Sequence, residues 1–309
     1  MPVQEEIASI IPAKASLITI GVFDGVHSGH RELLSHLVQQ AHTSQLLSIA
    51  ITFKQHPQTL LAPCVNVPMI TTLAERISLI KATGVDIVLP LTFDPELAQL
   101  DAQPFALLLQ HYLKMQGLVL GWDFAMGHER KGSLDNLKVM GKRLGFSVDV
   151  IGPVRINGDI VSSTAIRLAL DKGDIEKVNA MLGRRFQISG EVITGEGRGA
   201  KLGFPTANLD IYPNLAMPAN GVYAGITHVN EQTYQSAVFI GRRQTFSNTD
   251  MVVEVHLLDY SGDLYRKELK VEIVSRLRDE HKFDTPEALQ TQIARDIILT
   301  KERLSAALN

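Results

Sequence analysis

The feature that most constrains this chain is a change of pattern at Leu182-Gly183-Arg184-Arg185. Ahead of it, apolar β-branched runs alternate with helical stretches. Leu17–Ile20, Leu46–Phe53, Val85–Phe93, Leu118–Gly121 and Phe146–Val150 read as strands. Helices are predicted after the first strand, where Leu33, Leu34, Leu37, Val38 and Ala41 recur at helical spacing, over 72–83, with Leu73, Ile77 and Ile80 on one face, and over 135–144, with one or two more over 95–115. Asp171–Leu182 reads as one helical tail. Such alternation implies βαβ units and a doubly wound parallel sheet, an α/β fold. Beyond the seam the runs FQISGEVIT, GVYAGITHV, YQSAVFIG, MVVEVHLLDY and LKVEIVSRL follow one another through turn signals, as in an antiparallel barrel or sandwich. A helix closes the chain from Thr285, an N-cap ahead of Pro286 at the first helical position, to about Leu308. At 309 residues the chain can bury two cores, and we expect domains at 1–183 and 184–309.

Composition narrows the partners. A net charge of −3 gives no signal for nucleic acid or a membrane surface. No apolar run approaches membrane-spanning length, and MPVQEEIASIIPAKAS does not read as a signal peptide, so a cytoplasmic protein is expected. One cysteine, Cys64, excludes an internal disulfide and reads as structural.

The first strand runs into GVFDGVHSGH and then a helix. A strand that turns through glycines into a helix aims backbone N–H groups and the positive end of the helix dipole at one point, which suits phosphate. His27 and His30 stand at the mouth of that helix, so both imidazoles can reach one anion. A plain tight turn with solvated histidines fits the string equally well. Three more segments fall at strand ends, where ligands bind in doubly wound sheets: His56-Pro57, GWDFAMGHERKGS (121–133) and VSSTAIR (161–167). Taken alone, His56-Pro57 is a turn, Asp123 a cap and Ser162, Ser163 and Thr164 N-cap residues. Arg167, one turn into its helix, is placed to meet phosphate bidentately.

A second constellation is GEGRGAKLGFPTANL (195–209). Its glycines allow close approach to a ligand, and Arg198 and Lys201 suit phosphate. Thr206 and Asn208, two apart on an extended segment, face the same side and could reach one hard cation. Composition alone favours a flexible Gly-rich hairpin followed by a strand. Glu254 is a carboxylate inside the apolar strand VVEVHLLDY, ordinarily an outward residue of an alternating strand.

Both constellations resemble one family. GVFDGVHSGH resembles the nucleotidyltransferase signature whose HxGH holds ATP phosphates. Within that superfamily it is closest to bacterial bifunctional riboflavin kinase/FMN adenylyltransferase, or FAD synthetase. His56-Pro57, Gly121-Trp122-Asp123-Phe124 with Gly127, and Ser162-Ser163-Thr164-Ala165-Ile166-Arg167 resemble that family's HP, GxDFxxG and ISSTxIR segments. Leu202-Gly203-Phe204-Pro205-Thr206-Ala207-Asn208 resembles the riboflavin kinase signature.

The resemblance implies a nucleotidyltransferase domain followed by a β-barrel kinase domain with a terminal helix. It implies ATP binding at Gly21, Phe23, Asp24, Gly29, Ser162, Ser163, Thr164 and Arg167 for adenylyl transfer, with His27 and His30 catalytic. For the kinase it implies ATP binding at Gly197, Arg198, Gly199, Lys201 and Gly203, Mg²⁺ at Thr206 and Asn208, and Glu254 as general base. Flavin binding falls to His56, Pro57, Asp123 and Phe124 in one domain and Arg278 in the other. The implied partners are the small molecules riboflavin, FMN, FAD and ATP, with no nucleic acid or membrane. Gln55, Ala125, Met126 and Gln244 depart from the family's usual residues. Two other readings stay open, an enzyme with a single surviving activity and a non-catalytic flavin-binding protein on the same scaffold. Retention of both histidines, Thr206, Asn208 and Glu254 argues against the second.

Overall fold

The computed structural model describes residues 2–62, 65–127, 132–195, 197–230, 232–244 and 249–308. Cys64 and residues 128–131 of the GWDFAMGHERKGS segment lie outside these, as do the side chains of Arg198, Lys201 and Gln244. The chain divides into two compact units, Met1–Ser163 and Thr164–Asn309.

In the first unit, strands β1 (Ser16–Ile20), β2 (Leu47–Phe53), β3 (Ile87–Leu91), β4 (Met115–Gly121) and β5 (Ser147–Ile151) form one sheet in the order β3-β2-β1-β4-β5. Every pair is parallel, as the alternating pattern requires. The helices are α1 (Pro2–Ala8), α2 (Ser28–Thr43), α3 (Pro57–Leu61), α4 (Leu73–Lys81), α5 (Pro95–Gln99), α6 (Ala102–Leu113) and α7 (Leu134–Leu144). The period-2 alternation of the strands sorts their side chains into two cores. Ile18, Ile20, Ile49, Ile51, Leu118 and Leu120 pack with Val3 and Ile7 of α1 and with Phe105 and Leu109 of α6. Leu17, Ala50 and Val119 pack on the other face, with Leu33, Leu34 and Leu37 of α2 and Ile80 of α4.

The strand order reverses between β1 and β4, which makes their carboxyl ends the switch point where ligands bind. Ile18 is paired with Leu118, so the turns after Ile20 and Gly121 leave the sheet at the same level.

Of the one or two helices expected over 95–115, two form, because the chain is extended at Leu100 and Asp101 before α6 starts. Two details differ from the sequence reading. α1 is too short to carry a periodic signal, yet Val3 and Ile7 bury completely. In α4 the fully buried residues are Arg76 and Ile80, while Leu73 and Ile77 are half-buried.

The second unit opens with α8 (Ser163–Lys172) and α9 (Ile175–Leu182). These replace the single tail expected over 171–182, because Gly173 turns left-handed (φ 70°) and Asp174 caps a new helix by accepting from the Lys177 N–H. Strands β6 (Phe186–Ile193), β7 (Ala207–Ile211), β8 (Gly221–Val229), β9 (Gln232–Gln244), β10 (Thr249–Leu257) and β11 (Glu268–Asp279) close into an antiparallel barrel in the order β6-β7-β10-β9-β8-β11. Of the two architectures left open, the barrel is the one formed. A one-turn helix α10 (Arg198–Lys201) lies between β6 and β7, and α11 (Pro286–Leu308) ends the unit. Thr285 caps α11 as expected, its hydroxyl accepting from the Ala288 N–H at 3.2 Å. Strand β8 is buried almost throughout, since Leu304 of α11 covers Ala224 and Ile226.

Candidate active site

The first centre grows out of the end of β1. Phe23 (φ 51°), Gly25 (φ 79°) and Val26 (φ 39°) all adopt left-handed backbone. Only glycine does so without cost, so the surroundings must hold this turn in shape. Phe23 and Val26 are buried under it. The Asp24 carboxylate turns inward and accepts from the Ile70 N–H at 2.9 Å and the Thr71 N–H at 3.2 Å. The Asp24 carbonyl accepts from the Ser163 hydroxyl at 2.9 Å. Two motifs far apart in sequence, GVFDGVHSGH and VSSTAIR, are thereby joined.

His27 is the N-cap of α2, its Nδ1 accepting from the His30 N–H at 3.2 Å. A neutral His27 therefore carries its proton on Nε2. The His27 and His30 rings stack with centroids 3.6 Å apart, and Phe23 meets His30 edge-on. His30 Nδ1 is closed off from solvent and has no hydrogen-bond partner among the described residues. Burial, and then the neighbouring His27 and Arg76, hold His30 well below the ordinary imidazole value, so it is neutral at pH 7. Arg76 is fully buried and donates to the Phe53 carbonyl at 2.7 Å. The centre thus offers stacked imidazoles at a helix N-terminus, where an anion is favoured by dipole and N–H groups alike.

The flanking segments take definite places. His56 caps α3 through its Nδ1 and Pro57 is the first helical residue, so His56-Pro57 is a helix start rather than a turn. Gln55 donates to the Phe93 carbonyl at 3.1 Å. Asp123 is exposed just beyond β4, while Phe124 packs on the first core. Ala125 and Met126 pair with Ser133 and Gly132 in a short antiparallel ladder. Gly21 and Gly29 flank the strained turn. Ser162 and Ser163 precede and open α8, and Thr164 and Arg167 follow on that helix in the second unit.

The second centre lies on the outer face of the barrel. Ala207 and Leu209 point into its core, so Thr206 and Asn208 face away from it. Val253 and Val255 do the same on β10, leaving Glu254 outward. The register sets Asn208 opposite Glu254, and the Thr206 hydroxyl donates to Glu254 Oε2 at 3.3 Å. The outward position that made Glu254 look ordinary is thus the one that joins it to Thr206 and Asn208.

A cleft of about 300 Å³ reaches Asn208 and is lined by Thr194, Gly195, Met251 and Val253 among others. A Cβ on Gly195 would fall 2.1 Å from Asn208 Nδ2, so only glycine lets that amide lie where it does. The glycine-rich loop runs through Gly197, the turn of α10 with Gly199, and Gly203. The Arg198 and Lys201 side chains lie outside the described residues. Arg278, at the end of β11, is held by Asp296 of α11, with Nη2 at 2.8 Å and Nε at 3.0 Å from its carboxylate oxygens. The guanidinium also lies over the Phe283 ring.

Comparison with known proteins covers both units. A family model for FAD synthetase matches residues 11–165, and one for riboflavin kinase matches residues 182–304. The bifunctional riboflavin kinase/FMN adenylyltransferase of Escherichia coli (strain K12) is 35% identical over 94% of this chain and 93% of its own. The same-named enzyme of Pseudomonas fluorescens is 36% identical over 92% of this chain and 91% of its own. The chain belongs to this family.

A crystal structure described as a macrolide-efflux protein from Streptococcus pneumoniae shares the whole fold, with a TM-score of 0.90, 30% identity and 97% coverage of each chain. Among the described residues no helix is long and apolar enough to cross a membrane.

Some polar residues that carry no motif make contacts between elements: Arg76 with the end of β2, Asn179 with β6 and β11, and Asp296 with β11. Their only trace in the sequence is a polar residue at helical spacing among apolar ones, as Arg76 stands one turn before Ile80.

Proposed function

We propose that the chain makes FAD from riboflavin in two steps, with the kinase centre on the barrel acting first and the centre after β1 acting second. The observation that carries this reading is the assembly of Thr206, Asn208 and Glu254 on one outward face beside a cleft, in a chain that also keeps both histidines at a capped helix N-terminus.

In the first step the riboflavin hydroxyl oxygen attacks the γ-phosphorus of ATP, its proton passes to the Glu254 carboxylate, and ADP leaves. The Gly197–Gly203 loop covers the phosphates, with Arg198 and Lys201 supplying charge. Thr206 donates its proton to Glu254 and so presents lone pairs outward, and the Asn208 amide offers a second oxygen. That hard, neutral donor set fits Mg²⁺, which keeps part of its shell for phosphate oxygens. When bound there, Mg²⁺ neutralises developing charge on the phosphates. Arg278 lies on the flavin side, steadied by Asp296.

In the second step an FMN phosphate oxygen attacks the α-phosphorus of ATP and pyrophosphate leaves. The substrate supplies the nucleophile, so the protein's task is alignment and charge stabilisation. His27 Nε2–H and His30 donate to the phosphates, and the family resemblance adds Arg167, Ser162, Ser163 and Thr164 as ATP-binding residues. Gly21, Phe23, Asp24 and Gly29 shape the strained turn, Asp24 acting through its hold on residues 70–71. His56, Pro57, Asp123 and Phe124 face the flavin.

We assign the adenylyl step to 1–183 and the kinase step to 184–309. The partners are small molecules, without nucleic acid or membrane, and the cytoplasm supplies the ATP. The test is incubation with riboflavin, ATP and Mg²⁺, with riboflavin, FMN and FAD separated by chromatography over time. FMN appearing before FAD is expected. A single product would mean one surviving activity, and no product a flavin-binding protein.

A further inference from the structure

The terminal helix touches both ligand-facing loops of the barrel. Its carboxyl half is bolted down by Leu304, fully buried against Ala224 and Ile226 with Val274 and Leu277 beside them. Thr300 is buried there too. Its amino half carries polar side chains outward to two other places. Gln290 Nε2 donates to the Leu202 carbonyl, inside the glycine-rich loop, at 3.1 Å. Asp296 is 3% exposed and takes both nitrogens of the Arg278 fork, and Gln292, one turn earlier, donates to it at 2.9 Å. Arg278 stands where β11 gives way to the segment 279–285, and Phe283 of that segment lies against it. The ion pair therefore pinches the segment at its base.

Asp296 lies six positions after Gln290, about 9 Å along the helix. The helix between them cannot shorten, so Leu202 and Arg278 are both held against one rigid element. The loop is also held at its far end, where His256 Nδ1 lies 2.8 Å from the Pro205 carbonyl oxygen. Leu202 is thus the point at which the helix governs the loop.

We propose that α11 couples the nucleotide loop to the flavin-side segment, Gln290 positioning the first and Asp296 the second, so that nucleotide and riboflavin strengthen each other's binding. This rests on the kinase reading above. By linkage the effect is reciprocal, each ligand raising affinity for the other by the same factor. Gln290 and Asp296 are positioning residues, since neither touches a reacting atom.

The experiment uses the full chain. Titration calorimetry measures riboflavin binding with and without ADP and Mg²⁺, and ADP binding with and without riboflavin. The parent should show equal coupling factors in both directions, of about fivefold or more. Gln290→Ala removes an exposed hydrogen bond of little weight for stability. It should bring the coupling close to one while leaving the unfolding midpoint and FAD formation from added FMN unchanged. Asp296→Asn should also lose the coupling and raise KM for riboflavin more than it lowers kcat. Asp296→Glu, which restores a carboxylate for the Arg278 fork, should recover part of it. Full coupling retained in Gln290→Ala, or none in a parent that does phosphorylate riboflavin, overturns the inference. A parent that forms no FMN overturns the kinase reading instead.

Discussion

After β1 the chain builds its candidate site largely out of backbone. A strained left-handed turn, a histidine cap and a helix N-terminus converge, and the side chains around them are buried and mutually packed. On the barrel the corresponding groups are side chains beside a glycine-rich loop. Asn208 and Glu254 stand on the outward face of two paired strands, each between residues that fill the core, and Thr206 just precedes the first of these strands. On the reading proposed above, the first arrangement would stabilise charge with dipoles and neutral donors, whereas the second would take up a proton on a carboxylate and hold a cation with hydroxyl and amide oxygens. A substitution in the first centre should therefore disturb shape as well as chemistry, whereas one in the second should remove chemistry and leave the fold intact.

The largest effect is expected at Glu254. Glu254→Gln keeps size and polarity but cannot take the proton of the attacking hydroxyl, and should slow FMN formation by about a thousandfold. FAD formation from added FMN should be untouched, and the unfolding midpoint should not move. Phosphorylation of riboflavin at the parent rate would make Glu254 merely a strand residue.

Next come the histidines. His27→Ala or His30→Ala should cut FAD formation by about a hundredfold, the scale of one preorganised stabiliser, and spare FMN formation. The two should differ in stability. His27→Ala also removes the cap of α2, at about 1 kcal/mol, while His30→Ala leaves the cap in place. Equal loss of FMN and FAD in a folded variant would defeat the assignment.

These expectations differ in how much of them could be read from residues alone. The element order, the parallel and antiparallel halves, and the cap at Thr285 follow from periodicity and capping chemistry, which are local. So does the placing of His27 at the helix mouth. What stayed hidden is non-local. Nothing in VVEVHLLDY says that its glutamate will face Thr206, because strand register is set by the closed barrel. The buried Arg76 lies on a face that periodicity assigned to Leu73, Ile77 and Ile80. It is there because a carbonyl at the end of β2 awaits it, a fact of sheet packing. The resemblance named Arg278 but gave no account of Asp296, which lies on a different element.

A smaller, steric effect tests the second centre from the side. Gly195→Ala would set a methyl against the Asn208 amide, forcing that side chain off the face it shares with Thr206. We expect FMN formation to fall by about tenfold with a raised Mg²⁺ requirement, on the scale of about 1.4 kcal/mol. The adenylyl step should not respond. An unchanged Mg²⁺ dependence would take Asn208 out of the metal site.

The pH dependence is smaller again and belongs to the first centre. His30 is held below the ordinary value of 6.5 when folded, so the unfolded chain binds a proton that the folded chain refuses. Between 6.5 and the lower folded value, stability rises with pH and is lost as pH falls. Urea midpoints of the parent should therefore drop on acidification through this window, and His30→Asn should flatten that slope. A parallel decline in both proteins would place the sensitive group elsewhere.

The smallest effect is expected from separating the two regions, and it locates the border between them. The compact units part at Ser163, the FAD synthetase match ends at 165 and the riboflavin kinase match begins at 182. Helices α8 and α9 thus fill the stretch between the two matches. Physical ties run from α9 to the barrel. The Asn179 amide donates to the Ile273 carbonyl at 3.0 Å and accepts from the Phe186 N–H at 2.7 Å. The fragment Phe186–Asn309 leaves those groups to water but keeps every barrel strand and Glu254, so it should fold and make FMN. Its stability should fall below that of Thr164–Asn309 by about 1–3 kcal/mol, the usual weight of buried hydrogen bonds left unmade. The fragment Met1–Gly183 keeps VSSTAIR and Arg167, and should make FAD from FMN. Met1–Ser163 lacks Arg167 and should not match it. Urea midpoints and separate assays of each step decide the matter. If Met1–Ser163 proves as active as Met1–Gly183, Arg167 has no part in adenylyl transfer and the border belongs at Ser163.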